Sequence, residues 1–506
     1  MKPRDKDVLS AFFEPGSVAV FGSLKDMAGL GYGAIKNMLS FGFKGSIYPV
    51  NPGYEEVLGL KAYPYLSEVA APVELAVVIT PPATVPEIIE QCALKGVKAA
   101  VVVSENFAEA NEQGAQLQQH LVDIARRSSI RIIGPNTVGT LNTANGLLTI
   151  PYMIGYENIH RGGIAYCSQS GLAAAQCQPL EERAYPISKM CDFGNKCDVN
   201  EADMLNYLRD DPETKVIAMH LEDVKDGRRF MEAARRASAC KPLLLYKTGR
   251  SEAGARASAS HTGSLMGDDR VYDSAFKQAG AIRVDTWQEF WDIPKVFAYR
   301  EPPRGNRIAI ISHSGGAGVA AADAAVEAGL DVTELSPETI EKLISLLPRN
   351  SGNPVDMGPV LAASADPLST QEEILAAVLA DARVDCATII LYAGVMAPMQ
   401  PLADMFERLM QHVSKPVTIW VYGTKLFLVE ETSRQLEARG LPTYIDIETA
   451  VKALGVAAGY AGRVKPGVWG GAKLYPLSCP AQIEQSDYRD NNNQHDDNSR
   501  GGESAF

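Results

Sequence analysis

The chain has 506 residues, 46% of them hydrophobic and 22% charged, with a formal net charge of -13 at pH 7. That length exceeds what one core organises and implies three or four domains, while the acidic balance argues against nucleic acid or an anionic membrane as the main partner. No run of about 18 apolar residues offers a membrane span, the start "MKPRDKDVLSAFFEPGS" lacks a signal-peptide core, and the eight cysteines form no CxxC pair; the expectation is a cytoplasmic protein with buried thiols and no metal site.

In chain order, "SVAVFG", "YGAIKNMLSFG" and "GSIYPVN" lead into "LAVVIT", "PATVPEIIEQCALKG", "KAAVVVS", a helix near 110–127 and "IRIIG". Short β-branched runs alternating with amphipathic helices predict an α/β unit with a parallel sheet covered on both faces. Two later stretches share one device. "GGIAYCSQSGLAAA" (162–175) and "RIAIISHSGGAGVAAADAA" (307–325) both read as apolar strand, Ser-x-Ser-Gly, then Ala-rich helix. The first continues through "TKVIAMHLE" and "KPLLLYKTG", the second through "CATIILYAG" and "PVTIWVYG", and the Pro-rich joint "YREPPRGNR" (299–307) separates them. The expectation is three α/β domains, 1–147, 148–300 and 301–464, followed by a disordered tail at 465–506.

Three strand-to-helix turns, 22–33, 168–171 and 312–318, are rich in Gly and Ser. A helix N-terminus offers unpaired N–H groups and the positive end of a dipole, and small residues let an anion approach. The turn "FGSLKDMAGLGYG" lacks GxGxxG spacing, and "IYPVNPGY" stands where a dinucleotide site needs an acidic residue. A nicotinamide cofactor is therefore disfavoured. A phosphate-bearing, nucleotide-like ligand and a tight turn needing glycine both remain. No GxxxxGK[ST], G-x-S-x-G or HExxH occurs, so the chain shows no ATP-binding phosphate loop of its own.

His261 stands in "SASHTGSLMGDD" (258–269), a loop-like stretch of small residues with no second His or Cys at metal-ligand spacing. It reads either as an incidental surface imidazole or as a working group. His120, His160, His412 and His495 lie in polar contexts, His220 follows the strand "KVIAM" and faces a core, and His313, inside the third turn, is the rival. A nucleophilic imidazole must be neutral on the attacking nitrogen, with its other N–H held by a carboxylate. Glu222, ending the strand of "AMHLE", stands where α/β folds place functional groups, or is a solvated strand end.

The blocks "GNKCDVNEADMLNYLRDDPETKVIAMHLEDVKDGRRF", "YKTGRSEAGARASASHTGSLMGDDRVYDSAFKQAGAIRV" and "GPNTVGTLNT" strongly resemble the NDP-forming acyl-CoA synthetases, over about residues 8–464. The resemblance implies the family's alpha portion: a Rossmann-like CoA-binding domain followed by two flavodoxin-like domains. It also implies an acid–thiol ligase that is active with a separate ATP-grasp beta subunit, expected as α2β2, which binds ATP or ADP and Mg. By matching position His261 is the phosphorylated residue, Glu222 its orienting carboxylate, and Ser168, Gln169, Ser170 and Gly171 the phosphate-binding turn. Gly22, Ser23, Leu24 and Lys25 would hold coenzyme A, with Asn51, Pro52 and Asn136 lining the same mouth, and a small carboxylic acid is the other substrate.

This sequence departs from the family pattern in places. The first turn reads Gly22-Ser23-Leu24-Lys25 where relatives carry Arg last, and Lys meets a phosphate as a point charge without the guanidinium fork. "SENF" (104–107) places Asn106 where Gly is usual, which opens the acyl preference to question. The alternative function is a CoA-binding regulatory or scaffold protein without ligase chemistry.

Overall fold

Side chains along each strand of the first sheet alternate between two cores. In the computed structural model, which describes residues 8–25, 28–152, 159–171, 183, 185–262, 267–347, 352–394 and 399–463, Val18 and Val20 pack with Ala34, Ile35 and Met38 of the helix Leu30–Ser40. Ala19 and Phe21 pack with Val85 and Ile89 of the helix Val85–Lys95 on the other face. Covering both faces leaves no place for polar residues, which is why these strands read as continuous apolar runs. The sheet has five parallel strands in the order Ser46–Val50, Ser17–Gly22, Leu75–Ile79, Ala99–Val102, Arg131–Ile133.

The second sheet runs Ile282–Val284, Leu243–Lys247, Val216–Leu221, Arg161–Ser168, Ile187–Asp192, all parallel. Two short antiparallel strands, Thr140–Asn142 and Leu147–Leu148, extend its far edge. Thr140–Asn142 lies inside the stretch 1–147 expected as the first unit, and Leu147–Leu148 straddles its boundary with the second. Their pairing is long-range, Met190 opposite Leu141, and no local periodicity reveals it. The third sheet is parallel, in the order Asp331–Val332, Arg307–Ser312, Cys386–Tyr392, Val417–Tyr422, Thr443–Tyr444, with Val355–Asp356 also pairing Arg307–Ser312.

In each sheet the first long strand has its successors on both sides. The chain order therefore reverses at Ser17–Gly22, at Arg161–Ser168 and at Arg307–Ser312, the positions where open α/β sheets form a crevice beyond the carboxyl ends of their strands. The three Gly/Ser turns sit at these crevices. The expected α/β architecture of three parallel-sheet units holds.

The units share their cores. One apolar cluster runs from Phe12, Phe13 and Ile133 to Cys167, Met219 and Leu243, and another joins Tyr166 and Trp291 to Ile308, Tyr444 and Leu454. The second joint also buries charge: Lys295 Nζ lies 2.9 Å from Asp292 Oδ1 and 3.1 Å from Glu437 Oε1, and donates to Thr443 O at 2.6 Å. No helix among the described residues is long and apolar enough to cross a membrane. The expected tail at 465–506, His495, and the Ala-rich helix after Gly171 (172–182) lie outside the described residues.

Candidate active site

The crevice of the first sheet needs glycine. A Cβ on Gly22 would stand 2.8 Å from the carbonyl oxygen of Ile79 on the neighbouring strand. The adjoining cleft, ≈ 710 Å³, is lined by Gly22, Ser23, Asn51 and Pro52 together with Ile79 and Thr80. Asn51 fixes its rim: Nδ2 donates to Gly22 O at 2.7 Å and Oδ1 accepts from Gly53 N at 2.8 Å. Leu24 and Lys25 do not line this cleft. Leu24 is 2% exposed in the first core, and Lys25 is exposed.

Ile79 and Thr80 also line a second cavity, ≈ 510 Å³, between the first and second units. Ser104, Asn106 and Asn136 reach it from the first unit, and Gln169, Ser170, Gly171, Asp192, Lys196, Glu222 and Asp223 from the second. Asn51, Pro52 and Asn136, expected at one mouth, thus belong to two adjoining cavities. Asn106 and Asn136 take left-handed backbone conformations, φ 69° and 59°, which Asn tolerates better than most residues.

The Ser168–Gly171 turn is held from inside. Ser168 Oγ accepts from Ser170 N at 2.9 Å and donates to Ser170 O at 2.7 Å. Ser168 is fully buried, so its hydroxyl shapes the turn rather than facing the cavity. Gln169 ties the turn to the next strand: Oε1 accepts from the backbone N–H groups of Glu222 and Asp223 at 2.6 and 3.0 Å, and Nε2 donates to Asp223 Oδ1 at 2.5 Å. The third unit repeats the device. Ser312 and Ser314 make the same pair of bonds, at 2.9 and 2.7 Å, and His313 Nδ1 accepts from Tyr392 N at 3.1 Å. Asp192 stands in register with Ser168 as Asp356 does with Ser312.

Lys196, Asp223 and Asp192 are among the charged residues of the cavity that sequence patterns did not single out. Lys196 is buried, with Nζ 2.8 Å from Asp223 Oδ1 and 3.1 Å from Glu201 Oε2. Burial works to raise the Asp223 carboxyl, but the Lys196 ammonium outweighs it and holds the group below the usual range. Burial pushes Asp192 up to about 6 even though its carboxylate accepts from Val138 N at 2.7 Å and Gly194 N at 3.3 Å, and the nearby Glu222 adds to the rise. Glu222 follows the strand Val216–Leu221 and is 9% exposed, facing the same cavity. The signal available was positional: Asp192 ends the strand beside the reversal point, and Asp223 follows Glu222.

The histidines divide. His261 lies in the last turn of the helix Glu252–Thr262, which corrects the loop expected from small residues. Alanine, present four times in that helix, is the best helix former, and its small size misled the reading. His313 is half-buried, and burial lowers it to about 4. A neutral ring has one N–H, and Nδ1 accepts from Tyr392 N–H, so the proton is on Nε2. The side chain borders a separate small cavity with Gln371 and Leu361, away from the 510 Å³ one. His220 is buried as expected, and burial followed by Lys247 and Lys196 lowers it to about 3. His120 and His412 are exposed, while His160 is half-buried.

Comparison with known proteins bears on these cavities. Residues 16–143 match a CoA binding domain, 161–297 a succinyl-CoA ligase like flavodoxin domain, and 308–464 a ligase-CoA domain. The acetate–CoA ligase (ADP-forming) II subunit alpha of Pyrococcus furiosus is 36% identical over 442 residues, covering 86% of this chain and 94% of that one. The chain belongs to the NDP-forming acyl-CoA synthetase family. Within the family, acetate–CoA ligase (ADP-forming) II of Archaeoglobus fulgidus is 36% identical over 462 residues, 90% of this chain and 67% of that protein. The dinucleotide-forming acetyl-coenzyme A synthetase 1 of Ca. Korarchaeum cryptofilum, solved with phosphate and ADP, superposes with a TM-score of 0.81 at 31% identity, covering 90% of this chain and 97% of that one. These ADP-forming members of the NDP-forming acyl-CoA synthetase family are acid–thiol ligases.

Proposed function

We propose that this chain is the alpha subunit of an ADP-forming acyl-CoA synthetase that joins a small carboxylic acid to coenzyme A. ATP and Mg are held by a separate ATP-grasp beta subunit in an α2β2 assembly. The observation that carries the reading is that two neighbouring cavities share Ile79 and Thr80 in their walls. One is bounded by the Gly22 crevice, the other by the Ser168–Gly171 turn and Glu222.

The cleft beside Gly22 suits the phosphates and chain of CoA, with Ser23, Asn51 and Pro52 around it. CoA supplies the thiol. Gln169, Ser170 and Gly171 line the second cavity, where their turn would hold an anion, and Asn136 stands beside it. In synthesis, an imidazole nitrogen of His261 takes the phosphoryl group from ATP on the partner. Glu222 holds the other ring N–H, which fixes the tautomer. A carboxylate oxygen of the acid then takes the phosphoryl group from His261. When the thiol sulfur attacks the acyl carbon, a C–S bond forms, the C–O bond to phosphate breaks, and the thiol proton leaves to solvent or phosphate. Every step reverses.

The test is reconstitution. The chain alone is expected to bind CoA, by calorimetry, and to make no thioester from acid, ATP and CoA; adding the ATP-grasp partner restores synthesis. Synthesis by the purified single chain overturns the division of labour. CoA binding without synthesis in the reconstituted pair leaves a CoA-binding regulatory protein instead.

A further inference from the structure

His220 lies between two parts of the site that no other side chain joins directly among the described hydrogen bonds. Its strand Val216–Leu221 runs between Arg161–Ser168 and Leu243–Lys247. The ring therefore lies midway between the turn that ends one neighbour and the segment that follows the other. Nδ1 is 3.0 Å from Ser168 Oγ, and Nε2 is 2.9 Å from Thr248 Oγ1. The ring is 1% exposed and packs against Tyr246 and Trp287, at centroid distances of 5.6 and 4.8 Å.

Proton bookkeeping gives this chain of contacts a direction. Ser168 has one hydroxyl proton, directed at Ser170 O, so its oxygen accepts from Ser170 N–H and from the ring. The donor is then Nδ1–H. A neutral ring has no second proton, so Nε2 accepts the hydroxyl of Thr248. Thr248, Gly249 and Arg250 lead into the helix Glu252–Thr262, whose last turn contains His261. At its other end the chain of bonds closes the turn that the cavity presents to an anion.

We propose that His220 is a positioning residue that couples the Ser168–Gly171 turn to the segment carrying His261, so that anion binding at the turn and the placing of that helix are set together. The proposal rests on the phosphoryl-transfer reading above. A histidine that merely fills the core predicts one common loss for any substitution. A coupling residue predicts separable losses, because its two nitrogens serve different partners. Asparagine places a donor near the Nδ1 position and nothing near Nε2; glutamine reaches the Nε2 position and leaves Nδ1 empty.

Two rates separate these outcomes: phosphate-dependent conversion of acyl-CoA to acyl phosphate, trapped with hydroxylamine, and labelling of the chain from ATP with the partner subunit present. Loss of one hydrogen bond to a well-placed group corresponds to about a tenfold effect. His220→Asn is expected to keep the KM for inorganic phosphate within about twofold while slowing labelling about tenfold. Thr248→Val, which removes only the hydroxyl, should reproduce that pattern. His220→Gln should raise the phosphate KM about tenfold. Equal losses of both activities in all three variants, tracking their melting temperatures, overturn the proposal, as does unchanged labelling in Thr248→Val. A wild-type chain that neither forms acyl phosphate nor takes label overturns the phosphoryl-transfer reading itself, and the coupling with it.

Discussion

Gln169 Oε1 accepts the backbone N–H of Glu222 at 2.6 Å, which ties the Ser168–Gly171 turn to the end of the adjacent strand. Gln169→Leu would leave that N–H and the one of Asp223 without their acceptor at a cavity wall. The expected cost is about 1–3 kcal/mol of stability, together with slower acyl phosphate formation. Gln169→Glu keeps the acceptor but sets a carboxylate against Asp223 Oδ1 in place of the Nε2 donor, so it should recover little of the stability. Denaturant midpoints of the two variants check this. A Gln169→Leu midpoint equal to wild type contradicts it.

Gly22→Ala tests the CoA crevice. A Cβ there would meet Ile79 O at 2.8 Å, and a backbone atom cannot swing aside. The strands must shift, so calorimetry is expected to show CoA binding weakened about tenfold or more, with a melting temperature below that of wild type. Lys25, the sequence-based candidate for a phosphate contact, is exposed and off the cleft. Lys25→Ala should therefore change CoA affinity less than Gly22→Ala does. The opposite ranking would return the phosphate contact to Lys25.

Asp192 gives the native state a pH signature. Its folded pKa, raised by burial to about 6, lies above the ordinary value of 3.8. The native chain therefore holds the proton more tightly. This contribution is fully present below about pH 4 and is lost as pH rises through about 6, up to roughly 3 kcal/mol in all. Asp192→Asn does not titrate. The stability difference between wild type and Asp192→Asn, measured at about pH 4.5 and about pH 7.5, should shift against wild type at the higher pH. A difference independent of pH contradicts the assignment.

The alternation of apolar runs with amphipathic helices, and the three Gly/Ser turns, were legible because both are local. Each turn follows a strand that both of its neighbours flank, so a sequence-local signal coincides with a crevice of the fold. Glu222 was legible as a strand end. Asp192 and Lys196 were not, because their importance comes from burial and from partners such as Val138 and Glu201, distant or invisible in sequence. The segment around His261 was misread, since Ser, Ala and Gly suggest a loop until alanine's helix preference is weighed over a whole turn. That Thr140–Asn142 pairs with Ile187–Asp192 of the second sheet was not legible, because strand pairing is a tertiary choice.

Lys295 tests how firmly the second and third units are joined. It is 1% exposed between Asp292 and Glu437. Lys295→Met retains the volume but leaves two carboxylates buried without their cation, at an expected cost of about 3–5 kcal/mol. Chemical denaturation measures it. A loss below about 1 kcal/mol would show that water or rearrangement replaces the ammonium.

The central claim is that His261 carries the phosphoryl group. A phosphorylated imidazole is acid-labile and base-stable, so labelled ATP with the ATP-grasp partner should mark this chain in that form. His313 offers no comparable site: its ring is half-buried, its Nδ1 lone pair is committed to Tyr392 N–H, and it lies off the 510 Å³ cavity. His261→Ala is expected to take no label and make no thioester, while His313→Ala is labelled like wild type. Label that survives in His261→Ala and disappears in His313→Ala contradicts it.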